Sequence, residues 1–325
     1  FGRCSGFFCC PNWTPRAFAA GYELPEGTSI TAQSAYFVNL DTGIVVFEQN
    51  ADEQRSVASL TKLMTALLLM ENVSDLENTK ITAERSLYVP PITNPDSSTA
   101  DIWPGETVSA LNMLYAMMLP SANEAAEAVG YYLGNGNLNN FYALMNARAG
   151  EIGAHNTNFV TPNGLHDPEH YTTAYDLALI AAEAMKNPDF RKIVGSTYHK
   201  TTTGSVIRYM KNKNKILWQY EGGCGVKTGF TKAAGRCLVF AAERDGMTLI
   251  GAVLSCPDMF NVAKAMLDYG FASFRTEKII SAGQSITRIR VSGGTKTALA
   301  AEAKDDIIIP VRIGESADIR TEVET

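Results

Sequence analysis

The spacing of hydrophobic residues divides the chain into strand-like ends and a helical middle. In "SITAQSAYFVNLDTGIVVFEQNAD" hydrophobic and polar residues alternate around a turn-forming Asp-Thr-Gly, which predicts a β-hairpin. From about residue 56 to 190 hydrophobic residues instead recur every three to four positions, which predicts a block of helices. The predicted helices cover residues 59–71, 109–119, 122–133, 138–153 and 173–187.

The strand pattern returns after this block. "CGVKTGF", "GRCLVFAAERDG" and "MTLIGAVLSC" predict three strands with Gly-containing turns, and "FNVAKAMLDYGFASF" predicts a closing helix. Two early and three late strands can form one five-stranded antiparallel sheet, which gives an α/β fold of the α+β type. Short β-like runs at 276–325 predict a small β-rich domain. Because about 50 residues is near the lower limit for an independent domain, we expect its end to be missing.

Composition narrows the classes of function. The chain has 325 residues, of which 46% are hydrophobic and 19% charged, as is typical of a soluble globular protein. The net charge of -6 and the lack of a strongly basic helix argue against a nucleic-acid partner. No hydrophobic run approaches the roughly 18 to 20 residues that span a bilayer, so no transmembrane helix is predicted within these residues.

Residues 1–20 end in "AFAA", which fits the small-x-small pattern before a signal-peptidase site. We interpret them as the remnant of an export signal, with a disordered or truncated amino terminus as the alternative. Three of the six cysteines follow this segment, an odd number whose spacing matches no zinc pattern. We interpret these three as small buried hydrophobes and expect no metal site. They are Cys224, Cys237 and Cys256.

The first candidate for chemistry lies in "VASLTKLMTALLLM", where Ser59 and Lys62 are three positions apart and share one face of a predicted helix. Backbone N–H groups at the helix start suit a developing oxyanion beside Ser59. The surrounding Leu and Met residues would desolvate Lys62 and lower its pKa, so that it could act as a base. The alternative is a helix-capping serine followed by a solvent-exposed lysine.

Two further motifs follow along the chain. Ser121 and Asn123, in "MLPSANEAAEA", stand where one predicted helix ends and the next begins. Lys227, Thr228 and Gly229, in "GGCGVKTGFTKAAG", lie on a predicted strand and offer a cation, a hydroxyl and an open edge to a substrate carboxylate. Each motif alone is compatible with a helix cap or a strand end. In the order Ser-x-x-Lys, Ser-x-Asn, Lys-Thr-Gly, they match the set found in class A β-lactamases and penicillin-binding proteins, whose middle motif is Ser-Asp-Asn.

The chain therefore resembles the low-molecular-mass penicillin-binding proteins, the serine-type D-alanyl-D-alanine carboxypeptidases of the bacterial cell wall. The resemblance covers about residues 27 to 275 and includes "SAYFVNLDTG", "ASLTKLMTALL", "MLPSANEAA", "FVTPNGLHDPEHYTTAYDLALI", "VKTGFT" and "LDYGF". It implies a penicillin-recognising β-lactamase/transpeptidase-like domain at 21–275, with a five-stranded antiparallel sheet and a helical domain, before the small β-rich domain. It also implies export to the extracytoplasmic face of the membrane, the cell wall or the periplasm. The family usually ends in an amphipathic anchoring helix, so peripheral membrane association through a missing carboxy-terminal helix stays open.

The resemblance assigns catalytic roles to the first two motifs. Ser59 would attack the carbonyl of the penultimate D-Ala of a stem peptide and form an acyl-enzyme, and Lys62 would take its proton. Ser121 would pass a proton to the leaving D-Ala, while Asn123 would orient Lys62 and the substrate amide. Water then releases the product, and no cofactor is implied.

The resemblance assigns substrate binding to the third motif and its neighbours. Lys227 and Thr228, which form the Lys-Thr-Gly motif with Gly229, would hold the terminal carboxylate of the peptide. They would bind the carboxylate of a β-lactam in the same way, and the β-lactam would inhibit the enzyme covalently. The N–H groups of Ser59 and Phe230 would form the oxyanion hole. Lys213 stands where some relatives carry an Arg near that carboxylate. Lysine keeps the positive charge but cannot make the bidentate hydrogen bonds of a guanidinium group.

Three other residues are weighed as bystanders. Cys224 stands where relatives often carry an acidic residue, and strand alternation places it on the face opposite Lys227, so we favour packing. We interpret His166 and His170, in "GLHDPEHYTT", as loop-structuring or rim residues, since a Ser/Lys mechanism needs no His.

The leading hypothesis is an exported DD-carboxypeptidase that β-lactams acylate and inhibit. A β-lactamase of the same fold would need a Glu-activated water, and no convincing Glu-containing loop motif lies between the second and third motifs. A DD-endopeptidase that cuts cross-links is a close variant. A non-catalytic β-lactam sensor or wall-binding domain is the alternative from another class, although the filled motif positions favour catalysis.

Overall fold

The computed structural model describes residues 30–290, 298–304 and 306–314. The predicted export signal at 1–20 lies outside the described residues, as does part of 276–325. The strands are β1 (Ser34–Asn39), β2 (Val45–Gln49), β3 (Lys80–Thr82), β4 (Thr107–Ser109), β5 (Tyr198–Thr203), β6 (Val206–Lys211), β7 (Gly223–Thr231), β8 (Gly235–Arg244), β9 (Met247–Leu254), β10 (Phe274–Ile280), β11 (Ser285–Arg290), β12 (Ala298–Glu302) and β13 (Ile307–Arg312). The helices are α1 (Lys62–Asn72), α2 (Ala110–Met118), α3 (Asn123–Leu133), α4 (Leu138–Ile152), α5 (Ala174–Met185), α6 (Pro188–Val194), α7 (Ile216–Gln219) and α8 (Met259–Ser273).

A five-stranded sheet in the order β2-β1-β9-β8-β7 organises the molecule, and every neighbouring pair is antiparallel. Two strands from the start of the chain thus pair with three from its end, as the sequence predicted. Helix α5 contacts one face of the sheet and α8 the other. Because successive residues point to opposite faces, Tyr36 joins the helical core while Phe37 joins the core under α8.

Helix α1 lies at the centre of the helical layer, where it contacts α2, α3, α4 and α5. Its residues from Lys62 to Leu69 are all buried, which suits a helix that is hydrophobic on nearly every side. The fold therefore buries a lysine at the start of its most enclosed helix.

The predicted helical block is confirmed, with ends that shift by a few residues. Helix α6 was not predicted, although it carries two helix-start signals: Pro188 in its first turn, and the Asn187 side chain, which accepts from the N–H groups of the two residues after Pro188. The β5–β6 hairpin was not predicted either; it presents alternate residues such as Tyr209 and Ile207 to solvent. Hydrophobic residues lie on the exposed face while Arg208 and Thr201 are buried, so the alternation that predicts a strand is lost.

The region after α8 is β-rich, as predicted. Strand β10 follows α8 directly and pairs with β13, while β11 pairs with β12, both antiparallel. Among the described residues, the helices are too short or too polar to cross a bilayer.

Candidate active site

Ser59 lies in the 3-10 turn Ala58–Thr61, which leads directly into α1. The sequence predicted this serine at the amino-terminal end of a helix over 59–71, whereas the α-helix begins at Lys62 and Ser59 lies in the turn before it. Two glycines let the chain approach this turn closely. A Cβ on Gly164 would lie 1.8 Å from the Ala58 carbonyl oxygen. A Cβ on Gly229 would lie 2.9 Å from the Val57 carbonyl oxygen. The serine turn is therefore held between a loop and strand β7.

A second set of contacts, made by Thr61 and His170, also fixes this turn. The Thr61 hydroxyl donates to the Ala58 carbonyl at 3.0 Å, and its oxygen lies 2.7 Å from His170 Nε2. Because the Val160 N–H donates to His170 Nδ1 at 3.1 Å, Nε2 carries the ring proton and donates to Thr61. Burial lowers the pKa of His170 to about 4, so the ring is neutral. His170 therefore structures the loop, as the sequence indicated.

Lys62 Nζ is the centre of the site. It lies 3.0 Å from Ser59 Oγ, 2.7 Å from Asn123 Oδ1 and 2.7 Å from the Asn163 carbonyl oxygen. Burial lowers the pKa of Lys62 to about 7. The two oxygens of the asparagines can only accept hydrogen bonds, so the two N–H groups of a neutral amine point at them. The nitrogen lone pair then faces the Ser59 hydroxyl, which is the geometry a general base needs.

The second motif occupies the junction of α2 and α3. Asn123 begins α3, accepts from Lys62 through Oδ1, and donates from Nδ2 to Ser97 Oγ at 2.8 Å. Ser121 has a φ of +70°, and its buried Oγ has no hydrogen-bond partner in the described part of the chain. An unpaired buried hydroxyl is unfavourable, so Ser121 Oγ is ready to bond a ligand or a water.

The third motif lies on β7, which is one of the two edge strands of the sheet. This strand packs against the serine turn, and the Gly229 position lies close to the Ser59 N–H. Lys227 is buried and its Nζ donates to the Thr228 carbonyl at 3.0 Å. The Phe230 side chain is 66% exposed. The strand thus presents a buried cation and an open backbone edge next to Ser59.

Three lysines share the electrostatics of this site. Lys213 Nζ donates to Ser98 Oγ at 2.8 Å, and its charge acts on both Lys62 and Lys227. Burial first, and then the charges of Lys62 and Lys213, hold the pKa of Lys227 well below its usual range. Mutual repulsion of cations favours an anionic ligand between them.

Sequence reasoning missed two residues behind Lys62. Asn163, in "FVTPNGLHD", supplies a backbone carbonyl to Lys62 and donates its Nδ2 to Glu127 Oε2 at 2.7 Å. A backbone carbonyl has no residue-type signal. Glu127 lies one helical turn after Asn123 on α3, and that spacing is the only sign of its position.

The predicted bystanders take no part in this network. Cys224 packs half-buried against the helical core, and burial raises the pKa of its thiol to about 11. Cys237 and Cys256 are buried, as predicted. His166 is exposed. Among the residues that the structure describes, no group of His, Cys, Asp and Glu is arranged to hold a metal ion.

Comparison with known sequences gives two matches that follow one another along the chain. The family described as D-alanyl-D-alanine carboxypeptidase matches residues 21–258, and the family described as penicillin-binding protein 5, C-terminal domain, matches residues 274–325. D-alanyl-D-alanine carboxypeptidase DacF of Bacillus subtilis is 31% identical, over 90% of this chain and 76% of that protein. The D-alanyl-D-alanine carboxypeptidase of Streptomyces sp. (strain K15) is 37% identical, over 75% of this chain and 88% of that protein.

Solved structures agree with these matches. The crystal structure of the Streptomyces K15 DD-transpeptidase has a TM-score of 0.71 and 34% identity, and the match covers 75% of this chain and 98% of that one. Penicillin binding protein 5 from Haemophilus influenzae has a TM-score of 0.72 and 31% identity, with coverage of 88% and 84%.

Proposed function

We propose, because this chain belongs to the D-alanyl-D-alanine carboxypeptidase family, that Ser59 is the nucleophile with which it removes the terminal D-Ala of peptidoglycan stem peptides. The protein is a serine-type carboxypeptidase and a penicillin-binding protein, which β-lactams inhibit. The observation that carries the assignment of Ser59 is the bonding of Lys62. In the neutral amine, two acceptors occupy both N–H groups, and the lone pair then faces the Ser59 hydroxyl 3.0 Å away.

The geometry supports a two-step reaction. Ser59 Oγ attacks the carbonyl carbon of the penultimate D-Ala while its proton passes to Lys62. The N–H groups of Ser59 and Phe230 stabilise the oxyanion. When the C–N bond breaks, the leaving D-Ala amine takes a proton through the unpaired hydroxyl of Ser121, and Asn123 keeps Lys62 aligned. Water then attacks the ester, which frees the shortened peptide and returns the proton to Ser59.

The strand side supplies recognition of the terminal carboxylate. We assign this carboxylate, or that of a β-lactam, to Lys227, Thr228 and Lys213. Gly229 allows β7 to lie against the serine turn, so a peptide that runs along the strand edge reaches Ser59. A cation and a hydroxyl at that point suit a carboxylate.

We place the reaction on the extracytoplasmic side of the membrane, because peptidoglycan lies there. The interpretation of residues 1–20 as an export signal supports this placement.

The acyl-enzyme can also pass to an amine, which would make the protein a transpeptidase. The likeness to a structure named DD-transpeptidase favours this second reaction. In both cases Ser59 forms the same intermediate, and only the acceptor differs.

Mass spectrometry of the intact protein after incubation with benzylpenicillin tests the proposal. We expect one adduct that maps to Ser59, and release of D-Ala from a peptide ending in Lys-D-Ala-D-Ala. Added glycine as an amine acceptor would divide the product between hydrolysis and transfer. Ser59→Ala removes the adduct, whereas the neighbouring Ser56→Ala keeps it. Hydrolysed penicillin without a lasting adduct would instead show a β-lactamase.

A further inference from the structure

A carboxyl group outside the three motifs lies behind Lys62. Glu127 is four residues after Asn123 on α3, so both side chains share one face of the helix. The Glu127 Oε2 accepts from Asn163 Nδ2 at 2.7 Å, and the carbonyl of the same asparagine accepts from Lys62 at 2.7 Å. Asn163 therefore connects the carboxyl group to the amine.

The orientation of the Asn163 amide is fixed at its other end. Its Oδ1 accepts from the Leu165 N–H at 2.9 Å, so Nδ2 must face Glu127. Asn163 is buried, whereas Glu127 at the other end of the bond is partly exposed. The carboxyl group thus acts on the residue that presents a carbonyl to Lys62.

Glu127 and Lys62 also interact through their charges. Burial raises the pKa of Glu127 to about 7, and the Lys62 charge opposes that rise. Burial lowers the pKa of Lys62 to about 7, and the charges of Glu124 and, less strongly, Glu127 oppose that fall. Two interacting groups with similar pKa values titrate as a pair. The pair also interacts with Glu124 on α3 and Lys213, which shift the pKa of Lys62, and with Tyr142 on α4 and Lys227 on β7, whose pKa values the pair shifts.

We propose that Glu127 is a positioning residue of the reaction, which holds the Asn163 carbonyl on Lys62 and places a removable negative charge behind the Ser59–Lys62 pair. The ionised carboxylate favours the ammonium form of Lys62. It therefore delays the loss of the Lys62 proton to higher pH, and it makes the neutral amine a stronger base once that proton has left. This inference rests on the proposed roles of Ser59 and Lys62.

The test is the pH profile of acylation by benzylpenicillin, from about pH 5 to about pH 9, for the wild-type protein and Glu127→Gln. Glutamine keeps an oxygen for Asn163 Nδ2 and removes the charge. We expect the midpoint of the acid limb to move about half a pH unit toward lower pH, while the rate well below pH 7 stays close to wild type, because Glu127 is then protonated and as uncharged as glutamine. The plateau at high pH should fall, because the amine is then a weaker base.

Two matched variants separate the charge from the contact. Glu127→Ala should move the acid limb in the same direction and also slow acylation at every pH, since Asn163 loses its acceptor. Glu48→Gln removes an exposed carboxylate on β2 and should reproduce the wild-type profile. An unmoved limb and plateau in Glu127→Gln would overturn the inference. A wild-type protein that benzylpenicillin does not acylate would instead overturn the proposed function.

Discussion

The two sides of the site are built differently. On the helix side, Lys62 Nζ makes three hydrogen bonds, and one of its partners, Asn123, is itself bonded to Ser97. On the strand side, Lys227 donates to a backbone carbonyl of its own strand and Phe230 is largely exposed. Proton-transfer geometry is thus complete without a substrate, whereas the groups for binding a carboxylate face an open strand edge.

This difference separates chemistry from recognition. A base must be aligned before the reaction, because reorganisation during proton transfer would raise the barrier. A strand edge that binds substrate needs hydrogen-bonding groups that are free before binding, because the substrate supplies their partners. We therefore expect loss of the helix-side base to slow acylation most, and changes on the strand side to alter affinity unless they move the serine turn.

The largest effect should follow Lys62→Met, which keeps the length of the buried side chain and removes the base. We expect acylation by benzylpenicillin to slow by about 10²–10⁴-fold, the usual contribution of a general base. Lys80→Met, at an exposed position on β3, serves as control and should acylate at the wild-type rate. A Lys62→Met protein that stays folded and acylates within about tenfold of wild type would contradict the assignment of the base.

The next largest effect should come from the strand side, at the point where it touches the serine turn. In Gly229→Ala, the new Cβ would lie 2.9 Å from a carbonyl oxygen of the turn and 3.3 Å from the Ser59 nitrogen. Strand and turn must move apart, and a shift of about 1 Å can cost about 10²-fold in rate. We expect a loss of that size in the acylation rate.

Gly150→Ala is the matched control for this substitution. Gly150 lies within α4, and a Cβ there would meet no atom within 4 Å. We expect unchanged acylation and a slightly raised unfolding temperature, because alanine favours a helix more than glycine does. If Gly229→Ala acylates as Gly150→Ala does, the close approach of β7 to Ser59 has no catalytic role.

The sequence predicted the helix side and the strand side unequally well. Hydrophobic periodicity located α1 and the five strands of the sheet, and the motifs pointed to Ser59, Lys62 and Lys227. Continuous hydrophobic runs mark the most deeply buried of these elements, α1 and β9, whereas the partly buried edge strand β2 shows the alternation of a half-exposed strand. The fold class was therefore within reach of the sequence.

The Asn163–Glu127 connection was not within reach. A backbone carbonyl leaves no trace in residue type, and Glu127 is separated from Asn163 along the chain by helix α4 and the loop that follows it. A glutamate that activates water is expected on a loop between the second and third motifs, whereas Glu127 lies on α3 and takes part through a hydrogen bond. Sequence patterns show only how residues repeat locally along the chain, whereas this connection is a tertiary contact between distant residues.

A smaller effect is expected from Lys213→Ala on the strand side. Lys213 is exposed and bonds Ser98 Oγ at 2.8 Å, so its attraction for a carboxylate is screened by solvent. We expect the KM for the D-Ala-D-Ala peptide to rise about twofold to fivefold, with kcat changed less. Lys213→Arg keeps the charge and should restore the wild-type KM. An unchanged KM in Lys213→Ala, at both low and high salt, would remove Lys213 from the carboxylate site.

The smallest effect concerns stability, and it tests whether the helix side holds a buried proton at Glu127. Its pKa is raised from 4.5 to about 7 in the folded protein, so between these values the folded state keeps a proton that the unfolded chain has released. Stability from this group is therefore complete below about pH 4.5 and is lost as the pH rises through about 7. Glu127→Gln lacks this dependence. Calorimetry should therefore show that the unfolding temperature of the wild type, relative to that of Glu127→Gln, decreases by a few degrees between about pH 4.5 and about pH 7.

The contribution of Lys62 to stability changes with pH in the opposite direction, so the same experiment separates the two groups. Its pKa is lowered from 10.5 to about 7, so above about pH 7 the unfolded chain binds a proton that the folded state has lost, and stability from this group rises with pH up to about 10.5. Glu127→Gln should keep that rise, and Lys62→Met should lose it. A constant difference between wild type and Glu127→Gln from pH 4.5 to 7 would mean that the carboxyl group is ionised throughout, as on an exposed surface. The helix side would then hold its geometry without a buried proton at that position.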